Sequence, residues 1–187
     1  MQKIGIIGAG AWGTALAQAF VNEERKILMC ARETEVIETI NAQNENVMFL
    51  PGIKLHKNIT ATDNISQMAE MDIILVVTPA QYVRKTLTSL KPHLLQGHPV
   101  VICSKGIEIE SGYMMSHVAK ETIPDATIAI LTGPTFASEI ARGLPSAVTV
   151  AAENKETARQ IRDLLSSKTL RPYTTDDLIG SQIGSAV

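Results

Sequence analysis

The chain has 187 residues, a net charge of −2 and a hydrophobic fraction of 45%. That is enough for one well-buried domain, and the charge excludes a basic nucleic-acid face or an electrostatic membrane anchor. No apolar run approaches the ~20 residues of a membrane helix, so neither nucleic acid nor membrane insertion is expected.

The first predicted element is a short buried strand around Ile4, Ile6 and Ile7. Trp12 to Phe20 reads as an Ala-rich helix. Between them lies Gly8-Ala9-Gly10-Ala11-Trp12-Gly13, in the spacing G-x-G-x-x-G. Strand, glycine turn and helix in that order hold a dinucleotide pyrophosphate. Gly8 permits the tight turn, Gly10 lets backbone approach phosphate, and Gly13 allows close helix packing. The helix N-terminus then presents free N–H groups and the positive end of its dipole to the anion. A secretory signal peptide is a rival reading, with Ala17-Gln18-Ala19 as a cleavage site. Only Lys3 supplies its charge and glycines interrupt it, so it is the weaker reading.

Ile27–Cys30 reads as the second strand and Glu33–Asn41 as a helix. Gln43–Lys57 is a polar loop holding the turn-like Phe49-Leu50-Pro51-Gly52. Ile59–Ala61 reads as a short strand, and Asp63 as the cap of a helix that runs to Glu70. Ile73–Val77 is the most strand-like segment, and after Pro79 a helix runs to about Leu90. Strand Val100–Cys103 and helix Gly112–Glu121 follow, then strand Thr127–Leu131 and helix Thr135–Ala141. Strand Ala147–Ala151, helix Lys155–Ser166 and an edge strand Leu170–Tyr173 come next. Asp176 or Asp177 starts a last helix with Gly180 and Gly184, a small-residue face shaped for close packing that Val187 would terminate.

This alternation predicts an α/β fold, a Rossmann-like doubly wound, mostly parallel sheet with helices on both faces. Ligands of such sheets bind beyond the carboxyl ends of the strands. Five predicted strand ends carry Gly8–Gly13, Ala31-Arg32-Glu33, Thr78-Pro79, Ser104-Lys105-Gly106 and Thr132-Gly133-Pro134-Thr135. Together they suggest one cleft, although strand-to-helix turns favour these residue types anyway. Glu33 is at the distance from the glycines that suits the ribose hydroxyls of NAD, while Arg32 suits the 2′-phosphate of NADP. Arg32 directly follows the strand, and it favours NADPH, with NAD also accepted. Lys105 reads equally as a solvated loop lysine or as a contact to an oxyanion. Gly133-Pro134-Thr135 reads either as a helix start with Pro near N1 or as an anion or hydroxyl site. Cys30 and Cys103 form no C-x-x-C pair and are expected as buried reduced thiols. His56, His93, His98 and His117 lack zinc spacing and read as surface or loop residues, so no metal is expected.

Gly8-Ala-Gly-Ala-Trp-Gly-Thr-Ala-Leu-Ala17, Phe49-Leu-Pro51, Cys103-Ser-Lys-Gly-Ile-Glu108 and Leu131-Thr-Gly-Pro-Thr-Phe-Ala137 together resemble bacterial NAD(P)-dependent glycerol-3-phosphate dehydrogenases. So does Asp177-Leu-Ile-Gly-Ser-Gln-Ile-Gly-Ser-Ala-Val187. The resemblance covers the whole chain but only the N-terminal part of that family. It implies that Ala11, Trp12, Arg32, Phe49, Lys105 and Ala137 border NADP or NAD. Phe49 stands where the family often has Tyr, and Ala11 where it often has Ser. Lys105, Gly133 and Thr135 are implied to touch glycerol 3-phosphate. The implied parent reaction is the reversible reduction of dihydroxyacetone phosphate to sn-glycerol 3-phosphate, supplying phospholipid precursors. A cytoplasmic location and a homodimeric parent enzyme go with it. The family's proton-acceptor lysine is expected beyond Val187 and the helical C-terminal domain is expected to be absent, so no catalytic residue is assigned here. Residues 1–176 are read as the dinucleotide-binding domain and residues 177–187 as the start of the helix leading to the substrate domain. On this reading the chain binds cofactor without turnover. Rival readings are another Rossmann-type dehydrogenase of a hydroxy acid or sugar acid, and a non-catalytic NAD(P)-sensing module.

Overall fold

A computed structural model of the protein describes residues 1–186. Eight strands form one sheet: β1 (Gln2–Ile7), β2 (Arg25–Cys30), β3 (Ile59–Thr62), β4 (Ile73–Val76), β5 (Pro99–Ile102), β6 (Thr127–Thr132), β7 (Ser146–Ala152) and β8 (Leu170–Thr175). Their order is β3-β2-β1-β4-β5-β6-β7-β8. β1 to β6 are mutually parallel, β7 pairs antiparallel with β6, and β8 runs parallel to β7. β1 therefore lies inside the sheet, between β2 and β4.

The helices are α1 (Ala11–Phe20), α2 (Thr34–Gln43), α3 (Val83–Leu90), α4 (Met115–Thr122), α5 (Ala137–Ala141), α6 (Lys155–Leu165) and α7 (Leu178–Ala186). Their apolar faces build two cores, one on each side of the sheet. Leu16 and Phe20 of α1, Ile40 of α2, Ile140 of α5 and Ile161 of α6 share one core. Leu87 of α3 and Val118 of α4 share the other, with Leu178 of α7 packed against it. β4 shows why the sheet must be covered twice. Ile73 and Leu75 enter the first core, Ile74 and Val76 the second, and all four are fully buried. Alternate side chains of a strand face opposite ways, and each such burial contributes about 1.5–3 kcal/mol.

Several local expectations change. The segment before Glu70 is a 3-10 helix, Ile65–Glu70, and Asn64 rather than Asp63 caps it, accepting from the Ser66 N–H at 3.0 Å. α4 begins at Met115 instead of Gly112, because Gly112 adopts φ +71° within a turn. Pro134 is not at a helix start: α5 begins at Ala137 with Phe136 before it. The β6–β7 connection packs α5 against α1 and re-enters the sheet antiparallel, so the parallel order ends at β6. His98 is buried, not a surface residue, and Cys30 is half-buried while Cys103 is fully buried.

α7 docks through Leu178 and Gln182. The Gln182 amide accepts from the Ser116 N–H at 2.9 Å and donates to the Ser116 hydroxyl at 2.8 Å. Asp177 caps the helix, accepting from the Gly180 N–H at 2.7 Å. Gly180 and Gly184 lie on the exposed face beside Ile179 and Ile183. The expectation that Val187 ends this helix falls outside the described residues. At the amino end of β2 a buried arginine ties distant segments together. Arg25 donates to the Gln2 side chain at 2.7 Å and to the carbonyls of Phe20 and Ser166 at 3.0 and 3.2 Å.

Two local devices fix the loops that will matter. The first is the glycine turn after β1. Gly8 has φ +113°, which L side chains rarely adopt. A Cβ on Gly13 would stand 1.9 Å from the Gly8 carbonyl oxygen, whereas one on Gly10 would meet nothing within 4 Å. The second device holds the loop after β5. Arg84 of α3 makes a bidentate pair with Glu108, both bonds 2.8 Å, and its third nitrogen lies 2.6 Å from Glu121. The Gln81 amide bonds the Ile107 carbonyl at 2.8 Å and the Ile109 N–H at 3.0 Å, as a neighbouring strand would.

The glycine geometry sets an ordering. Gly13→Ala is expected to destabilise the fold by about 1–3 kcal/mol, as overpacking does. Gly10→Ala is expected to leave stability nearly unchanged. Thermal unfolding of both variants checks this, and equal losses would contradict the packing argument. The Arg84 pair sets a second. Its guanidinium, then the Ser111 hydroxyl, hold the Glu108 carboxyl down to about 2, below the ~4.3 of an unfolded Glu. The pair therefore stabilises the fold fully above the unfolded value and is lost as pH falls towards about 2. Unfolding midpoints of wild type and Arg84→Met, measured between neutral pH and about pH 2, are expected to converge as the pH drops.

Candidate functional site

The carboxyl ends of the parallel strands open onto one cleft of about 1150 Å³. The glycine turn after β1, Arg32 and Glu33 after β2, Thr78 and Pro79 after β4, and Ser104 and Lys105 after β5 all line it. Thr135, Phe136 and Ala137 after β6 close one side. Phe49, from the long loop after α2, closes another. Thus Gly8, Gly10, Ala11, Trp12, Gly13, Arg32, Lys105 and Thr135 are brought together as the strand-end loops implied, and Phe49 and Ala137, implied by the resemblance alone, join them. Gly133 is not in the lining. A Cβ there would stand 3.0 Å from the Ala147 carbonyl and 3.1 Å from Val148, a tight fit that favours glycine beside β7. Its carbonyl nevertheless reaches the site, accepting from the Lys105 ammonium at 3.2 Å.

The cleft has the features that a dinucleotide needs. α1 is preceded by Gly10 at its N-cap, with no side chain capping it, so its first N–H groups are left for a ligand. The empty Cβ position of Gly10 leaves room for a phosphate against the backbone. Three lining residues carry buried polar atoms without a protein partner: the Trp12 indole N–H, the Thr78 hydroxyl and the Thr135 hydroxyl. Groups of this kind cost stability unless something bonds them, and a polar ligand in the cleft would do so. The residues present therefore fit a pyrophosphate-containing cofactor.

The rim is charged at both signs. Arg32, Lys85 and Lys105 bring cations, and Glu33 and Asp63 bring carboxylates. Glu33 also starts α2, its carbonyl accepting from Val36 and Ile37. Both readings of the Arg32-Glu33 pair thus have a structural basis, because both residues reach the cleft. Lys105 is held from below. The Ser104 hydroxyl donates to the Thr78 carbonyl, and the Glu108–Arg84 pair fixes the loop beyond it. Cys30 and Cys103 line the cleft, but burial pushes both thiols up, with Asp63 adding to the effect at Cys30. Both are therefore protonated and poorly nucleophilic near neutral pH. Among the described residues, no cluster of three His, Cys, Asp or Glu side chains suits a metal ion, and no helix is long and apolar enough to cross a membrane.

Sequence reasoning missed the residues that brace the glycine turn. Asn46 and Thr14 are fully buried. The Asn46 amide donates to the Ala9 carbonyl and to the Thr14 hydroxyl, each at 2.8 Å. The Thr14 hydroxyl donates to the Gly10 carbonyl at 2.9 Å. Asn46 looked like one more polar loop residue. The only sequence signal is its place three residues before Phe49-Leu50-Pro51, where an Asn side chain can bond backbone two or three residues on.

Comparison with known proteins agrees with this geometry. The chain is 46% identical over 186 residues to a glycerol-3-phosphate dehydrogenase [NAD(P)+] of Parvibaculum lavamentivorans, covering 100% of this chain and 56% of the relative. It is 48% identical over 186 residues to one from Caulobacter vibrioides, with the same coverages. The chain therefore spans about half the length of these curated relatives. The crystal structure of glycerol-3-phosphate dehydrogenase from Coxiella burnetii superposes with a TM-score of 0.90 at 26% identity, over 98% of this chain and 57% of that one. UDP-D-ManNAc dehydrogenase of Pyrococcus horikoshii, at 15% identity and TM-score 0.79, shares the fold alone. The family model for the N-terminus of NAD-dependent glycerol-3-phosphate dehydrogenase matches residues 3–158, and the chain belongs to that family.

Proposed function

We propose that this chain is the coenzyme-binding part of an enzyme that reversibly reduces dihydroxyacetone phosphate to sn-glycerol 3-phosphate with NADPH or NADH. One observation carries the reading. The glycine turn, an uncapped helix N-terminus and three unpartnered buried polar groups converge in one cleft, in a chain of this family. Residues 1–176 form the dinucleotide unit on this reading. α7 leads towards the part of the relatives that the chain does not span. A cytoplasmic location and a homodimeric whole enzyme go with the proposal.

The roles follow from chemistry. When bound, the nicotinamide cofactor supplies or accepts the hydride. Gly8, Gly10, Gly13 and the N-terminal amides of Ala11 and Trp12 hold its pyrophosphate. Arg32 meets a 2′-phosphate with a planar fork of donors that suits it. Phe49 and Ala137 bound the cofactor at the rim. Lys105 lies between the β5 and β6 loops, where its ammonium can turn from the Gly133 carbonyl to a substrate oxygen. Thr135 offers the same ligand a hydroxyl that has no protein partner. An ammonium aimed at developing oxyanion charge favours the reduced product's alkoxide.

Titration of the chain with NADPH, read by the emission of Trp12, its single tryptophan, tests cofactor binding directly. Arg32→Ala is expected to weaken NADPH by roughly ten- to hundredfold, the range of a lost charge-assisted contact, and NADH far less. Equal losses for both cofactors would remove Arg32 from the 2′-phosphate. Lys105→Ala is expected to leave NADPH binding within a few-fold of wild type. In the full-length enzyme the same change is expected to cut kcat/KM by roughly ten- to a thousandfold. Steady-state kinetics with dihydroxyacetone phosphate checks this, and unchanged kinetics would return Lys105 to the solvated lysines.

A further inference from the structure

We infer that Asn46, with Thr14, is a positioning residue for cofactor binding: it fixes the direction of the backbone donors in the glycine turn and the place of Phe49 with one side chain. The inference rests on the dinucleotide reading above and concerns residues that do not line the cleft. Asn46 donates to the Ala9 carbonyl at 2.8 Å, and the Thr14 hydroxyl approaches the same oxygen at 3.4 Å. Both side chains are fully buried. The chain has no cis peptide bond among the described residues. In a planar trans peptide the N–H points opposite to the C=O. Holding the Ala9 carbonyl towards the buried pair therefore turns the Gly10 N–H the other way, to the side where Gly10 lines the cleft.

The next peptide is fixed the same way. The Gly10 carbonyl accepts from the Thr14 hydroxyl at 2.9 Å and from the Thr14 N–H at 3.0 Å. That turns the Ala11 N–H outward too. Two successive donors are thus oriented from behind before any anion arrives. Such preorganised donors spend no reorganisation energy when a phosphate binds.

The opposite end of the Asn46 side chain works on Phe49. Its carbonyl oxygen accepts from the Phe49 N–H at 3.1 Å, and the Asn46 main-chain carbonyl accepts from Leu50 at 2.9 Å. Every polar atom of the Asn46 side chain is thereby used, half on the glycine turn and half on the loop carrying Phe49. No other side chain bonds both segments in the described residues. Aspartate at this position keeps the shape and loses both donors. An ionised carboxylate would face the Ala9 carbonyl and repel it.

The experiment uses Asn46→Asp, Thr14→Val and Thr14→Ser in the full chain. Affinities for NADPH and for adenosine 2′-monophosphate are measured by Trp12 emission and competition, at a temperature where thermal melts show each variant folded. Asn46→Asp and Thr14→Val are each expected to weaken NADPH by roughly five- to hundredfold, the equivalent of one lost buried hydrogen bond. Adenosine 2′-monophosphate, which has no pyrophosphate, is expected to bind them as it binds wild type. Thr14→Ser keeps the hydroxyl and is expected to stay within about twofold of wild type. A purely structural role lowers the melting temperature but leaves the NADPH affinity of the folded protein intact, and that result would overturn the inference. So would equal losses for both ligands. Wild type that fails to bind NADPH would overturn the dinucleotide reading itself. If Asn46→Asp does not fold, Thr14→Val decides the question by the same criteria.

Discussion

The cleft depends on how closely the start of α1 approaches the turn that precedes it. Only a hydrogen at Gly13 lets the helix sit against the Gly8 carbonyl, and only Gly8 tolerates the φ that folds the chain back so sharply. That one contact sets the distance between the helix N-terminus and the end of β1. It leaves the first N–H groups of α1 open to the cleft and places Trp12 on its wall. The parallel strands beside β1 bring Arg32, Thr78 and Lys105 to the same edge because their registers align with it. A longer side chain at Gly13 would therefore shift the site as a whole.

Behind this front the molecule uses buried polar side chains as braces. Asn46 and Thr14 hold the glycine turn, and Arg84 with Gln81 holds the loop after β5. The two braces differ in kind. Asn46 and Thr14 are neutral, fully buried and fully bonded, which is the condition under which a polar network rigidifies a core. Arg84 is a partly exposed charge pairing with two carboxylates, and its hold on the loop depends on the ionisation of Glu108. The Lys105 ammonium, between these supports, donates to the Gly133 carbonyl.

Much of this was legible in the sequence. Strands such as Ile73–Val76 are so uniformly apolar that burial on both faces was the only economical reading, and the glycine spacing named its own turn. Most cleft residues were recognisable because they sit at strand ends, while Phe49 and Ala137 were named only through the resemblance. Three features were not legible. The reversal at β7 comes with the packing of α5 on α1, a long-range contact that no local periodicity reports. Pro134 suggested a helix start, but α5 begins only at Ala137. The part played by Asn46 depends on a loop folding back to reach residue 9, a contact 37 positions away in the chain. For Lys105 the residues alone left an even choice, and the resemblance to a family added only the expectation of a substrate contact.

The position of β1 has a consequence for how the molecule acquires its site during synthesis. β1 leaves the ribosome before either of its sheet partners, yet one of them is β4, about seventy residues later by register. Gly8 itself rests against the backbone of Val77, and the Val77 N–H closes on the Ile7 carbonyl at 2.8 Å. A motif that is contiguous in sequence is thus non-local in assembly. Closing so long a loop is entropically costly before the contacts form, which slows folding. Until β4 arrives, β1 is an apolar strand with an open edge, the kind of segment that chaperones shield and that aggregates when left alone.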